Sequence, residues 1–224
     1  MGTEKLIAIL MADLSGYTAM TEVHGPAQAM FIADKFIDLV EKSLSGKSKL
    51  FERIGDQVVI ISENPDDLAR TAVILNNFSQ KEKNFLKVHS GLHFGPVLEQ
   101  QGRIYGSTIN IAARIASEAK DGSLLASYEF ISALNNPKAF HYEMYGIPHF
   151  KNVLTPTKLF KIIPAAATHS PVYVIDPVCQ MQLQERKSGY NFKVDGNKYH
   201  FCSHQCLDLF TVNHSQFLKQ NQAY

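Results

Sequence analysis

The sequence lacks any long apolar run: the longest, Leu6 to Ala12, has seven residues, against the roughly 20 that a bilayer-spanning helix needs. No membrane partner is expected. The N-terminus, Met1-Gly2-Thr3-Glu4-Lys5-Leu6, has no signal-peptide organisation, and Leu6 stands where an N-myristoylation motif wants Ser or Thr. A cytoplasmic location is therefore expected. Net charge is also missing: 22 Lys and Arg stand against 21 Asp and Glu, a formal +1, so there is no electrostatic footprint for nucleic acid. Cysteine is scarce, and the three residues, Cys179, Cys202 and Cys206, cannot all pair within one chain. No internal repeat or low-complexity tract is present. What remains is 224 residues, 45% hydrophobic and 19% charged, an ordinary globular composition with room for one domain and a smaller module. Clustering of all three cysteines near the C-terminus is the first sign of that second module.

Periodicity divides the chain. Leu6 to Met11 reads as a short buried strand that ends in Ala12-Asp13-Leu14-Ser15-Gly16, with a carboxylate at its C-terminal tip. Pro26 stands at a helix N1 position, and Ile32, Phe36, Val40 and Leu44 recur at four-residue steps, so a long helix follows. Lys49 to Ile54 and Gln57 to Ser62 form a hairpin across Gly55-Asp56, which puts a second carboxylate at a tip. Leu68 to Phe78 reads as a helix after Asn64-Pro65, and Phe85 to Phe94 as a strand ending at Gly95-Pro96. The expected order is βαββαβ. Ser107 to Lys120 is then helical, and Ser123 to Ser127 and Lys158 to Ile163 supply strands. The boundaries expected are a first domain over 1–163, a linker over the proline-bounded small-residue segment 164–171, and a second domain over 172–224. In the second, Tyr190 to Val194 and Lys198 to Cys202 flank Asp195-Gly196-Asn197 as a hairpin, with one or two short helices after it.

Asp13 and Asp56 lie at tips of elements that a βαββ arrangement places side by side, so their carboxylates can converge on hard divalent cations and a nucleotide triphosphate. Taken singly, Asp13 also suits a helix N-cap and Asp56 a turn. Asn110 and Arg114 share one helix face with alanines between them, an amide beside a permanent cation, which suits a phosphate or an attacking oxygen.

Five blocks in order, Met11-Ala12-Asp13-Leu14-Ser15-Gly16-Tyr17, Glu52-Arg53-Ile54-Gly55-Asp56, Gly91-Leu92-His93-Phe94-Gly95-Pro96-Val97, the Tyr105 to Arg114 run and His149-Phe150-Lys151-Asn152-Val153, carry a resemblance. Over about residues 5 to 163 the chain resembles the class III adenylyl/guanylyl cyclase catalytic domain. The resemblance implies an α+β, ferredoxin-like fold and a homodimer with active sites across the interface. It implies a lyase reaction, attack of the ribose 3′-oxygen on the α-phosphate with loss of pyrophosphate. By matching positions, Asp13, Asp56 and the Leu14 carbonyl would hold two Mg²⁺ or Mn²⁺ ions, and Asn110 and Arg114 would come from the other protomer. Asn110 would orient the ribose, Arg114 would stabilise the charged α-phosphate, and Lys151 would bind the triphosphate. The base-reading positions are Glu52 and Arg103. Glu52 fits the guanylyl cyclases of the family, whereas Arg103 fits neither their pattern nor that of the adenylyl cyclases. Either Glu52 and Arg103 read the guanine edge, which favours GTP over ATP, or they bond each other and occlude the pocket, leaving a degenerate cyclase-fold dimer that senses metal or nucleotide.

Asp176-Pro177-Val178-Cys179 followed by Tyr199-His200-Phe201-Cys202-Ser203-His204-Gln205-Cys206 resembles a YHS domain, a small module related to the heavy-metal-associated TRASH group. Cys202 and Cys206, one helical turn apart, and Cys179 on a preceding loop can present three thiolates to Zn²⁺ or another soft ion. The fourth ligand is left open among His204, His200 and water. Three reduced thiols without metal are the other reading.

Overall fold

The computed structural model describes residues 2–120, 122–164, 173–184 and 189–222, with side chains to residue 218. The expected linker, apart from Pro164, therefore lies outside the described residues.

The first strand, β1 (Thr3–Leu14), is central, and its apolar run is continuous because both faces are covered. Ile7, Ile9 and Met11 face one side, and Ala8, Leu10, Ala12 and Leu14 the other. It pairs antiparallel with β3 (Gln57–Ser62) and with β4 (Val88–Gln100), and β2 (Lys49–Ile54) closes the hairpin onto β3. Two helices, α1 (Tyr17–Ser43) and α2 (Pro65–Lys81), complete the βαββαβ order and share a buried cluster with the Ala8 side of β1. The sheet continues through β6 (Leu124–Ser127), β8 (Leu159–Ile163) and β7 (His141–Gly146) in the order β2-β3-β1-β4-β6-β8-β7, and β5 (Arg103–Tyr105) pairs with the far end of β4.

Helix α3 (Ser107–Glu118) covers the opposite sheet face. Thr108, Ala112, Ile115 and Ala116 are its buried side. The helix backbone sits directly on β4 at Gly91, where a Cβ would lie 2.2 Å from the Ala116 nitrogen and 2.7 Å from the Ala112 oxygen. Only glycine permits that approach. The short helix α4 (Tyr128–Ser132) is capped by the Ser127 hydroxyl, which accepts from the Phe130 N–H.

The C-terminal module contains two hairpins, β9 (Tyr173–Ile175) with β10 (Gln182–Gln184), and β11 (Tyr190–Val194) with β12 (Asn197–Phe201), then α5 (His204–Gln222), broken at Asn213. It does not hang as a separate body. Val178, Cys179, Met181, Phe201, Cys206 and Phe210 belong to the same buried cluster as Phe36, Phe85 and Leu68 of the first module. The Gln182 N–H donates to the Phe85 carbonyl at 2.8 Å, and its side chain donates to the Ser79 carbonyl at 2.5 Å.

Three expectations are corrected. The first long helix begins at Tyr17 rather than Pro26, because a left-handed Gly25 (φ 78°) joins two helical segments and Pro26 starts the second. The strand expected to stop at Gly95-Pro96 runs on to Gln100; β6 pairs with β4 only at Ser90 to Leu92, so the missing Pro96 N–H interrupts no β6 bond. Strands β7, β9 and β10 were not foreseen.

Gly91→Ala is expected to lower unfolding free energy by about 2 kcal/mol or more through overpacking of α3 against β4. An unchanged urea midpoint with an unchanged slope would contradict the packing described.

Candidate functional site

Asp13 is the penultimate residue of β1, and Asp56 occupies the tight β2–β3 turn behind a left-handed Gly55 (φ 65°). Because β1 and β3 are neighbours in the sheet, the two carboxyls come close enough for each to perturb the other's titration. The convergence expected from the sequence is thus what the geometry has. Burial pushes the Asp13 carboxyl above its ordinary range. Burial, and then the adjacent Asp13 charge, push Asp56 up to about 6. Asp13 also accepts from the Leu14 N–H at 2.9 Å.

The nearest basic group is His89, the cross-strand partner of Asp13, whose Nε2 lies 3.8 Å from an Asp13 oxygen and whose Nδ1 contacts the Ser15 hydroxyl at 2.9 Å. Sequence reasoning missed it, since no spacing ties a lone His to Ser15, 74 positions away, or to the strand tip before it. Burial lowers its pKa, so it favours the neutral form and its charge is the smallest of the influences on Asp56. Structural aspartates here look different. Asp66 is buried, yet N–H donors from Asn135 and Asn136 outweigh the burial and hold its carboxyl below the usual range. Asp13 and Asp56 have the donor set of a hard divalent cation site: two oxygen acids, partly open, with no Lys or Arg ion pair to either among the described residues.

The remaining predicted residues are not gathered with them in one chain. Asn110 and Arg114 are exposed on α3, on the side opposite its buried residues, so the body of the helix separates them from the sheet. Glu52 sits on β2 beside a bulge, level with Val59, Met11 and Gly91 across the sheet. Arg103 pairs with Gln100 at the far end of β4. Among the described residues no hydrogen bond or ion pair joins Glu52 and Arg103 within one protomer. Lys151 is exposed in the β7–β8 connection. Among the described residues none of these five side chains makes a hydrogen bond or ion pair.

A second cluster gathers the thiols. Cys202 Sγ lies 3.5 Å from both Cys179 Sγ and Cys206 Sγ. Its pKa falls well below the ordinary thiol range because Cys179 and Cys206 donate to it. The buried Asp176 holds both arms of the cluster: one oxygen accepts from the Val178 and Cys179 N–H groups, the other from the Cys202 N–H at 2.8 Å. Of the two histidines considered from the sequence, His204 is turned to an ion pair with Asp208 at 2.8 Å, and His200 is not among the clustered groups. The ring that does join is His24 of α1, with Nε2 at 3.3 Å from Cys202 Sγ and 3.6 Å from Cys206 Sγ. Nothing in the local sequence around His24 signals this.

Comparison with known proteins follows the same division. The family model "Adenylate and Guanylate cyclase catalytic domain" matches residues 1–161, and the "YHS domain" model matches residues 174–221. An uncharacterized protein of Mycobacterium tuberculosis (strain ATCC 25618 / H37Rv) is 35% identical over 117 residues, 52% of this chain and 31% of that protein. An adenylate cyclase of Glutamicibacter nicotianae is 29% identical over 134 residues, 59% of this chain and 33% of its own. The chain spans about a third of the length of these curated relatives. A solved adenylate cyclase structure from Trypanosoma brucei, in its monomeric state, superposes with a TM-score of 0.66 at 18% identity, covering 74% of this chain and 91% of that one, a likeness of fold.

The carboxylate pair has a sign-defined consequence. In metal-free protein Asp56 holds its proton more tightly when folded than unfolded, so its contribution to stability is lost as pH rises from the ordinary carboxylate range through about 6. Asp56→Asn in chelator at about pH 7.5 is expected to raise Tm by about 2–4 °C, on the order of 1 kcal/mol after solvent screening. The gain should shrink as pH is lowered through about 6. A fall in Tm at neutral pH would contradict the repulsion.

Proposed function

The chain belongs to the adenylate and guanylate cyclase catalytic domain family, with a C-terminal YHS domain, and from that premise we propose that it converts a purine nucleoside triphosphate to the 3′,5′-cyclic monophosphate and pyrophosphate. The observation that carries the reading is the meeting of Asp13 and Asp56, two partly buried carboxyls that burial pushes up, at the end of β1 and the β2–β3 turn. Asp13, Asp56 and the Leu14 carbonyl would hold two Mg²⁺ or Mn²⁺ ions. Bound there, such ions supply Lewis acidity to the ribose hydroxyl and the phosphates.

The separation of Asn110 and Arg114 from the carboxylates supports a homodimer in which each site takes its carboxylates from one protomer and its Asn-Arg pair from the other. Arg114 then binds the α-phosphate oxygens as charge develops, Asn110 fixes the ribose so that its 3′-oxygen lies in line, and Lys151 binds the triphosphate tail. Glu52 accepts from guanine N1–H and the exocyclic amine, and Arg103 donates to O6, which favours GTP. The Glutamicibacter relative is named an adenylate cyclase, so base choice is the finer part of the proposal. The division into a cyclase domain over 1–163 and a YHS domain over 172–224 belongs to the same reading.

Regulation through the second module has a structural basis. Gln180, next to Cys179, packs on Gly16, where a Cβ would lie 2.3 Å from the Gln180 Cβ. Gly16 begins α1 three positions after Asp13. Metal at the thiols would thus bias the turn that follows the end of the Asp13 strand.

Full-length protein incubated with Mn²⁺ and GTP or ATP should yield cyclic GMP in excess, identified by mass spectrometry, and none with Asp13→Ala or Asp56→Ala. Glu52→Lys should shift preference toward ATP by about tenfold or more. A folded protein without cyclic product would sink the enzyme reading; cyclic AMP in excess would sink only the base assignment.

A further inference from the structure

We infer that His24 is the fourth ligand of the thiol-bound ion, so that a zinc-class cation ties the C-terminal module to the cyclase helix α1. The inference rests on reading the thiol cluster as a metal site and not on the cyclase reaction.

The geometry is that of a closed tetrahedral cage. Bond lengths of about 2.3 Å to sulfur and about 2.0 Å to nitrogen put neighbouring ligand atoms about 3.5–3.8 Å apart in a tetrahedron. Four of the six edges are 3.3, 3.5, 3.5 and 3.6 Å. All four ligand atoms lie within 4.8 Å of one another. Three thiolates and one imidazole select a borderline-soft ion, Zn²⁺ foremost, over Mg²⁺ or Ca²⁺. With four protein ligands no position is left for a substrate, so the site is structural rather than catalytic.

The supports on either side are already in place. Asp176 fixes the Cys179 and Cys202 backbones from beneath, and the Ser203 hydroxyl accepts from the Cys206 N–H at 3.2 Å. On the cyclase side His24 ends the first segment of α1, immediately before the left-handed Gly25. Its neighbour Val23 offers a carbonyl to the Gln205 side chain at 2.8 Å, which holds the start of α5 against α1. The ion therefore bridges residues 178 positions apart and closes the contact between two modules whose apolar residues already share one core. A fourth ligand from another domain makes the module's position on the cyclase depend on metal and on the reduced state of the thiols.

The test uses the full chain, stripped of metal under reducing conditions and titrated with Co²⁺. Wild type should show the intense visible bands of tetrahedral cobalt with thiolate ligands. His24→Ala should bind Co²⁺ at least about tenfold more weakly, with altered bands as solvent replaces the imidazole. His204→Ala should match wild type. Because His24→Ala can disturb α1, a second measurement uses wild type alone: diethyl pyrocarbonate modification read by peptide mass. Zinc should protect His24 and chelation should expose it, while His204 reacts in both forms. Equal Co²⁺ affinity and bands in His24→Ala, with His24 equally reactive in both forms, would overturn the His24 assignment alone. A reduced wild type that binds no Co²⁺ would overturn the metal-site reading beneath it.

Discussion

Two partly buried carboxylates held against each other, beside an imidazole that burial biases toward the neutral form, are the constraint around which the first module is arranged. Such a pair opposes its own fold at neutral pH, and burial makes the opposition stronger. The sheet holds the pair together regardless. Strand β1 is clamped between β3 and β4 and covered on both faces, so Asp13 at its end has little freedom to withdraw, and the tight turn behind Gly55 gives Asp56 no more. Local strain of this kind persists where surrounding packing over-determines it, and it is relieved when a hard cation arrives.

The second module is built around the opposite preference. Its thiols are soft donors gathered over a buried Asp176, and its core is continuous with the cluster beneath α1 and α2. Metals at the two proposed sites would not compete, because hard cations prefer carboxylate oxygen and soft ones thiolate sulfur. They are nonetheless close in the fold. Gln180 lies on the Gly16 turn, and that turn begins where the Asp13 strand ends. A change at the thiols has a short, packed route to the carboxylate pair.

Much of this was legible in the sequence because its signals are local. The Gly55-Asp56 turn between two apolar runs specified a hairpin and put Asp56 at its tip, and the doubly buried β1 read as an unbroken apolar run ending in Asp13. Cys202 and Cys206 announced themselves by spacing. What was hidden depends on chain crossings. His24 lies in a segment without a clear apolar period and reaches the thiols only through docking of the modules, so His204 and His200, close in sequence, looked the better ligands. Strand β7 is mostly exposed and carries no alternation to read, and β9 and β10 have three residues each. Pro96 looked like a strand end, since sequence does not tell which side of a strand is left unpaired.

In the proposed homodimer each chain holds two half-sites, carboxylates on the sheet and the Asn-Arg pair on the outer side of α3, that become whole only between protomers. Complementation tests it most directly: Asp13→Ala and Arg114→Ala proteins, each inactive, are mixed and allowed to exchange subunits. Random pairing puts half of the dimers in the mixed form with one intact site each, so activity should return to about a quarter of the wild-type value. Folded, exchanging subunits that recover no activity would contradict the account.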